Sequence, residues 1–342
     1  MKNKFYFFTK LSLLLVYLVI VAGAIVRVTG SGMGCPDWPK CFGYILPPTK
    51  KSHLEWKANF NYKKNQMIIA YDSLMVAKNN FKSNIRYERS NWSKYLKHDH
   101  STFNVYNTWI EFINRFLGLI SGFSTLLMLF FSISFWKKNK LFFYGSLIVV
   151  LAMAFQAILG KEVVDSNLLP VKVTIHMIMA LIIICLLISI LFFINPKNLK
   201  KYPDNNILTL TLIAFLITFF QIVSGTQVRQ FIDLQMINHP LQKNLWLNPS
   251  PSIFYLHRSF SLIVLFVHFM LLKNFTKVGE IPKTLKFILI AIGLEVITGI
   301  TMYYINFPIS SQPIHLLLAS LILGAQLYLI LQIILKRKIY DI

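Results

Sequence analysis

The sequence predicts an all-α membrane protein: eight transmembrane helices arranged as two parallel-repeat four-helix bundles, with a long extracytoplasmic loop. Three observations predict it. The 342 residues are 55% hydrophobic and only 14% charged, more apolar surface than one soluble core can hide. Predominantly apolar stretches of about 20 residues recur along the chain, the length needed to cross a hydrocarbon core about 30 Å thick. The second half also repeats landmarks of the first at equal spacing.

Taken in order, the apolar spans lie near 9–28, 109–135, 141–160, 170–194, 207–228, 252–272, 284–305 and 312–335. Four fall in each half, residues 1–200 and 201–342. An even number per half keeps both copies in one orientation, with the pseudo-twofold axis along the membrane normal. The first span follows a lysine-rich start, and Val21-Ala22-Gly23-Ala24 resembles a signal-peptidase site. However, Gly23-Ala24-Ile25-Val26-Arg27 recurs as Gly225-Thr226-Gln227-Val228-Arg229, inside the second half, so the first span reads as a retained helix. Residues 30–107 form the long outer loop, in which an amphipathic stretch from Met67 to Phe81 suggests a surface helix.

The formal charge of +22, from 35 basic and 13 acidic residues, does not point to nucleic acid. The lysines sit in short connections: Lys2, Lys4 and Lys10, Lys137 to Lys140, Lys197 to Lys201, Lys273 to Lys286, and Lys336-Arg337-Lys338. All fall on one face, which the positive-inside rule assigns to the cytoplasm, together with both termini.

His176 and His315 each follow a glycine, Gly160 and Gly299, by 16 residues in an apolar segment. Asn114-Arg115 likewise finds its counterpart in His257-Arg258. Each half therefore offers a His or Asn on its second helix and a His on its fourth, at similar depth, the arrangement by which a four-helix bundle clamps a haem. The pairs are Asn114 with His176 and His257 with His315. Arg27, Arg115, Arg229 and Arg258 are candidates for the haem propionates, since a guanidinium engages a carboxylate with two parallel hydrogen bonds; the alternative is snorkelling to lipid headgroups.

Other polar residues divide less sharply. Glu111 lies one turn before Asn114 on the same helix face, inside an apolar segment where an acid is costly. It can handle protons at a haem edge or serve as a structural partner of Arg115 or Arg27. Glu295 and Gln156 each precede the histidine of the fourth helix by 20 residues and read as a polar packing site. His268 has no histidine partner at its depth and reads as a satisfied core residue. His53, His98, His100 and His239 fall in outer loops. Cys35 and Cys41 suit a structural bridge in a compartment that permits disulfides, with a redox-active thiol pair as the alternative. Cys185 reads as core.

The run Val28-Thr29-Gly30-Ser31-Gly32-Met33-Gly34-Cys35-Pro36-Asp37-Trp38-Pro39-Lys40-Cys41-Phe42-Gly43 resembles the signature of the haem A synthase family, T-G-S-G-x-x-C-P-D-W-P-x-C. Glu111-Phe112-Ile113-Asn114-Arg115 is similar to that family's E-x-x-H-R, and Leu169-Pro170, Ile175-His176, His257-Arg258 and Ile314-His315 match further positions, so the resemblance covers nearly the whole chain. It implies an enzyme that oxidises a methyl group of haem O to a formyl group to give haem A for cytochrome oxidase. The implied substrate side is the N-terminal half, and the implied cofactor, haem b (iron), belongs to the C-terminal half. Carried over, Glu111 is the catalytic acid, His176 a substrate-side iron ligand, His257 and His315 the axial ligands of haem b, and Cys35 and Cys41 the extracytoplasmic cysteine pair.

Asn114 departs from the family's histidine, and a carboxamide oxygen is a poor iron ligand. The substrate-side iron is then five-coordinate through His176, or takes a ligand from the loop, where His98 and His100 are the sources, or the site has lost activity. The first of these is compatible with oxygenase-like chemistry. Two other classes stay open: a dihaem b-type electron carrier, which predicts four histidines and no special acid, and a haem-binding chaperone or transporter. Expected partners are haem O, haem O synthase, cytochrome oxidase assembly factors, a membrane electron donor and a second copy of the chain. The expected location is a bacterial plasma membrane.

Overall fold

The computed structural model describes residues 2–96, 103–196, 205–239 and 241–340. Among the described residues eight helices are long and apolar enough to cross a membrane, and the chain is a multi-pass integral membrane protein. They are α1 Lys2–Val28, α2 Val105–Ser132, α3 Lys140–Asp165, α4 Pro170–Ile194, α5 Asn205–Asn238, α6 Ser252–Val278, α7 Lys283–Tyr304 and α8 Ser311–Tyr340.

Local chemistry sets several of the ends. The Asn104 side chain accepts from the amides of Tyr106 and Asn107 at the start of α2, and Asn139 accepts from Leu141 at the start of α3. Pro170 opens α4, where a missing N–H costs nothing. Gly279 ends α6 in the left-handed conformation, φ 75°.

Helix α5 runs ten residues past the apolar span expected to end at 228. The extension is polar and reads as loop by hydropathy, but Arg229 and Asp233, one turn apart, pair at 2.7 Å.

The packing order relates the halves. Helix α1 packs on α2, α4 and α8, while α5 packs on α6, α8 and α4; α3 packs on α4 as α7 does on α8; and α4 meets α8. Exchanging α1 with α5, α2 with α6, α3 with α7 and α4 with α8 maps each of these contacts onto another, and the α4–α8 contact onto itself. Helices α4 and α8 are the inner pair: half of their most apolar stretch is buried, against 22% for α3, α6 and α7. Close approach there needs Gly324, whose added Cβ would stand 2.6 Å from Ile188 Cδ1 and 2.7 Å from Tyr17 Oη.

The stretch from Met67 to Phe81 is not the surface helix its pattern suggested. It forms β2 (Met67–Ala70) and β3 (Ser73–Ala77), an antiparallel hairpin in which Ala70 faces Ser73. Tyr71 and Asp72 turn the chain with φ 52° and 50°, as a two-residue hairpin turn requires. Strand β5 (Trp92–Lys94) pairs with β3, and a second, two-stranded sheet joins β1 (Asn61–Tyr62) to β4 (Phe81–Lys82). The apolar residues make two small cores, one of Tyr62, Ile68, Met75 and Trp92, the other of the cysteine pair with Phe42, Leu54, Met67 and Leu74. Apolar side chains on both faces of a short hairpin imitate a helical spacing, hence the misreading.

Candidate haem-binding site

Each even-numbered helix presents one residue to a glycine on the helix before it. A Cβ added to Gly225 on α5 would stand 3.0 Å from His257 Cε1 on α6, and one added to Gly299 on α7 would stand 3.7 Å from His315 Cε1 on α8. In the other half, Gly160 on α3 faces His176 Cε1 at 3.3 Å, and Gly23 on α1 faces Asn114 Oδ1 at 3.8 Å. The missing side chain is what lets His257 and His176 lie so close to their neighbours, whereas the contacts at Gly299 and Gly23 are of ordinary length. All four belong to the positions that sequence repetition had related.

The C-terminal half brings its two histidines together. The ring centroids of His257 and His315 are 6.4 Å apart, with an interplanar angle of 65°. Two imidazoles holding one metal ion at roughly 2 Å on opposite sides place their ring centres about 6 Å apart. The spacing fits an iron between them. Glu295 Oε1 lies 3.2 Å from His315 Nε2, and its other oxygen is buried without a partner. The carboxylate is therefore in the site rather than at a packing position as expected, and iron on that nitrogen would displace its contact.

Four residues before each of the three glycines that face a histidine stands a side chain that reaches the same histidine. Gln156 donates to the His176 carbonyl at 3.0 Å and Gln221 to the His257 carbonyl at 2.8 Å, with Glu295 in the third position. In α1 the corresponding residue is the apolar Val19. The pair α1–α2 thus lacks both the histidine and its polar neighbour, and Asn114 Oδ1 is buried with no partner. His176 Nδ1 is also buried with no partner. His98 and His100, the loop histidines considered as substitutes, lie outside the described residues.

Glu111 is 3% exposed and its bonds are those of the structural reading. It pairs with Arg115 one turn on, and its Oε2 accepts from the Cys35 amide at 2.9 Å. Arg115 also donates to the carbonyls of Asp37 at 2.6 Å, Lys40 at 3.1 Å and Cys35 at 3.3 Å. Both residues tie α2 to the loop closed by the Cys35–Cys41 disulfide. That loop packs closely: Gly34 lies against the backbone of Asn107, and Thr108 Oγ1 donates to the Gly34 carbonyl at 2.9 Å. Asp37 Oδ2 accepts from the Gly43 amide at 2.9 Å, yet burial holds its carboxyl above the usual aspartate range.

The other arginines part company. Arg27 and Arg229 converge from α1 and α5 on Asp233, and Arg229 also donates to the Arg27 carbonyl at 2.9 Å and bonds Gln312 of α8. Arg258 is exposed and lies over the rings of Phe254 and Tyr255, at 5.7 and 5.3 Å. His268 is satisfied: Nδ1 bonds the Val264 carbonyl at 2.7 Å, and Gln326 meets Nε2 at 2.9 Å while donating to Thr218. His53 and His239 are exposed. Cys185 is only partly buried. Sequence reading missed Gln221, Asp233 and Gln312; the repeated spacing of Gln156, Gln221 and Glu295, each four residues before a glycine, was the available signal for the first.

The model of the cytochrome oxidase assembly protein family COX15-CtaA matches residues 6–88 and 77–327. The chain belongs to that family. It is 27% identical over 343 residues to a haem A synthase of Rickettsia prowazekii, covering 92% of this chain and 93% of the relative. It is 28% identical over 345 residues to the haem A synthase of Rickettsia massiliae, with 92% and 93% covered. The haem A synthase of Shewanella oneidensis is 24% identical over 218 residues, 63% of this chain and 54% of that protein.

Proposed function

We propose that the chain is a haem A synthase that oxidises a methyl group of haem O to a formyl group. The observation that carries the reading is the inequality of the four glycine-facing positions: three are histidine and one is asparagine. The facing pair His257 and His315 suits a resident b-type haem held by two protein ligands, which would supply one-electron chemistry. His176 opposite Asn114 suits a substrate haem held through one histidine. A dihaem electron carrier wants two equal sites, and a haem carrier has no need of a buried acid; Asn114 and Glu111 count against them.

In this reading Glu111 acts on protons at the substrate edge while Arg115 and the Cys35 amide hold its carboxylate at the outer end of α2. Arg27 and Arg229, which share Asp233, are the best placed of the four arginines to exchange that carboxylate for a propionate. Arg258, over two aromatic rings, has the weakest case. The division into a substrate half, 1–200, and a cofactor half, 201–342, follows the same inequality. Haem O synthase and oxidase assembly factors are the proposed partners, with an electron donor in the membrane and a second copy of the chain. The bacterial relatives and the lysine-rich connections support a bacterial plasma membrane with both termini in the cytoplasm.

Pigment extracted from the purified membrane protein tests the proposal. Haem B together with haem O and haem A is the expected result when haem O is supplied in the same cells. Haem B alone under that supply contradicts it and favours the electron carrier.

A further inference from the structure

The halves differ at one atom of each histidine. His257 Nδ1 lies 3.0 Å from Ser224 Oγ, and His315 Nδ1 lies 2.9 Å from Thr298 Oγ1. Both hydroxyls stand one residue before the glycine that faces the ring. Both also donate to a carbonyl three residues back on their own helix, Ser224 to Gln221 and Thr298 to Glu295, each at 2.9 Å. A hydroxyl has one proton to give. With that proton aimed at the carbonyl, its oxygen receives the imidazole Nδ1–H, and the ring lone pair is left on Nε2; at His315 this holds with Glu295 as the neutral acid, its O–H donating to Nε2 at 3.2 Å until iron takes that place.

We infer that Ser224 and Thr298 are positioning residues that hold His257 and His315 in the Nδ1–H tautomer and leave both Nε2 atoms for iron. The inference rests on the reading that these histidines bind haem. In the N-terminal half the corresponding residues are Ala22 before Gly23 and Leu159 before Gly160, neither with a hydroxyl, and His176 Nδ1 is buried without a partner. The repeat therefore gives the ligands of one site a hydroxyl on Nδ1 and that of the other none, although Gln156 Nε2 lies 3.5 Å from His176 Nε2; the difference suits a cofactor that stays and a substrate that enters and leaves.

An acceptor on the outer nitrogen of a ligating histidine raises the ligand's basicity, and such partners are typically worth about 10–100-fold in metal affinity. A more basic imidazole favours ferric over ferrous iron. Removing the acceptor should then weaken haem retention and raise the reduction potential.

The test uses the full chain purified with its haem B. Ser224→Ala and Thr298→Val remove the hydroxyls, and Ser224→Thr and Thr298→Ser keep them. Each removal is expected to lower the ferric-to-ferrous affinity ratio about 10-fold, which is ~59 mV upward for a one-electron couple, and to shift the low-spin g values in electron paramagnetic resonance. The conservative pair should restore both. Unchanged potential and g values in Ser224→Ala and Thr298→Val overturn the inference, as does failure of the conservative variants alongside them. If the removals do not accumulate, Leu159→Ser in the chain also loaded with haem O decides: it gives His176 the missing acceptor and should lower the potential of the N-terminal haem, and no change there overturns the clamp. An unmutated protein without low-spin haem B would instead sink the ligation reading itself.

Discussion

The C-terminal half brings two imidazoles within 6.4 Å of each other, their planes inclined at 65°, with a hydroxyl on each Nδ1. At the same positions the N-terminal half has one histidine with an unpartnered Nδ1 and an asparagine with an unpartnered Oδ1. The backbone scaffold is repeated while the polar atoms around it are not. The same scaffold thus carries two differently furnished sites, which is what the proposed division into a held cofactor and an exchangeable substrate requires. The second site carries Glu111 and its disulfide loop, which has no counterpart among the features of α6.

The largest effect expected is at the facing pair. With His257 and His315 as the proposed haem B ligands, replacing either with Ala should abolish the low-spin haem B spectrum in each single variant; an unchanged spectrum in both breaks the comparison at its root.

Arg115→Ala comes next. It leaves Glu111 buried without its cation and three loop carbonyls without their donor. Breaking a buried pair in this way costs about 3–5 kcal/mol, so the variant should fail to accumulate in the membrane, read by immunoblot. Glu111→Gln is milder. Its amide can accept from Arg115 or from the Cys35 amide but not both, at about 1–3 kcal/mol. Haem B in the other half serves as the internal control: haem A should vanish while haem B per protein stays, whereas loss of both means Glu111 serves the fold alone.

The glycines sharpen the comparison further. Gly225→Ala places a methyl group 3.0 Å from His257 and must move the ring, while Gly23→Ala meets Asn114 at an ordinary 3.8 Å. Haem B content should fall roughly 10-fold in the first and stay unchanged in the second.

The smallest effect concerns Asp37. Because burial raises its carboxyl, the protonated form suits the folded loop; its contribution is complete below the ordinary value of about 4 and is lost as pH rises through the raised one. Amide protection at Cys35 to Gly43, corrected for intrinsic exchange, should decline from acid to neutral pH, and Asp37→Asn should flatten that decline.

Much of this was legible in the chain because hydropathy and repetition act over long stretches. The eight spans, the pairing of Gly160 with His176 and of Gly299 with His315, and the Cys35–Cys41 bridge all leave one-dimensional marks. The hairpin at Met67–Ala77 did not, since a two-residue turn at Tyr71 and Asp72 is set by backbone conformation more than by composition. The convergence of Arg27 and Arg229 on Asp233 joins residues about 200 positions apart, and spacing along a single helix cannot announce it. Ser224 and Thr298 escaped because a hydroxyl in an apolar helix normally bonds its own backbone; only the neighbouring helix shows its second contact.

Electron paramagnetic resonance of the ferric protein carrying both haem B and haem O tests the inequality of the two sites most directly. The account predicts one low-spin bis-histidine signal from the C-terminal half and one high-spin signal from the N-terminal half, with Asn114→His converting the second to low spin. Two bis-histidine low-spin signals in the unmutated protein would contradict it, and would mean that a further histidine fills the position opposite His176.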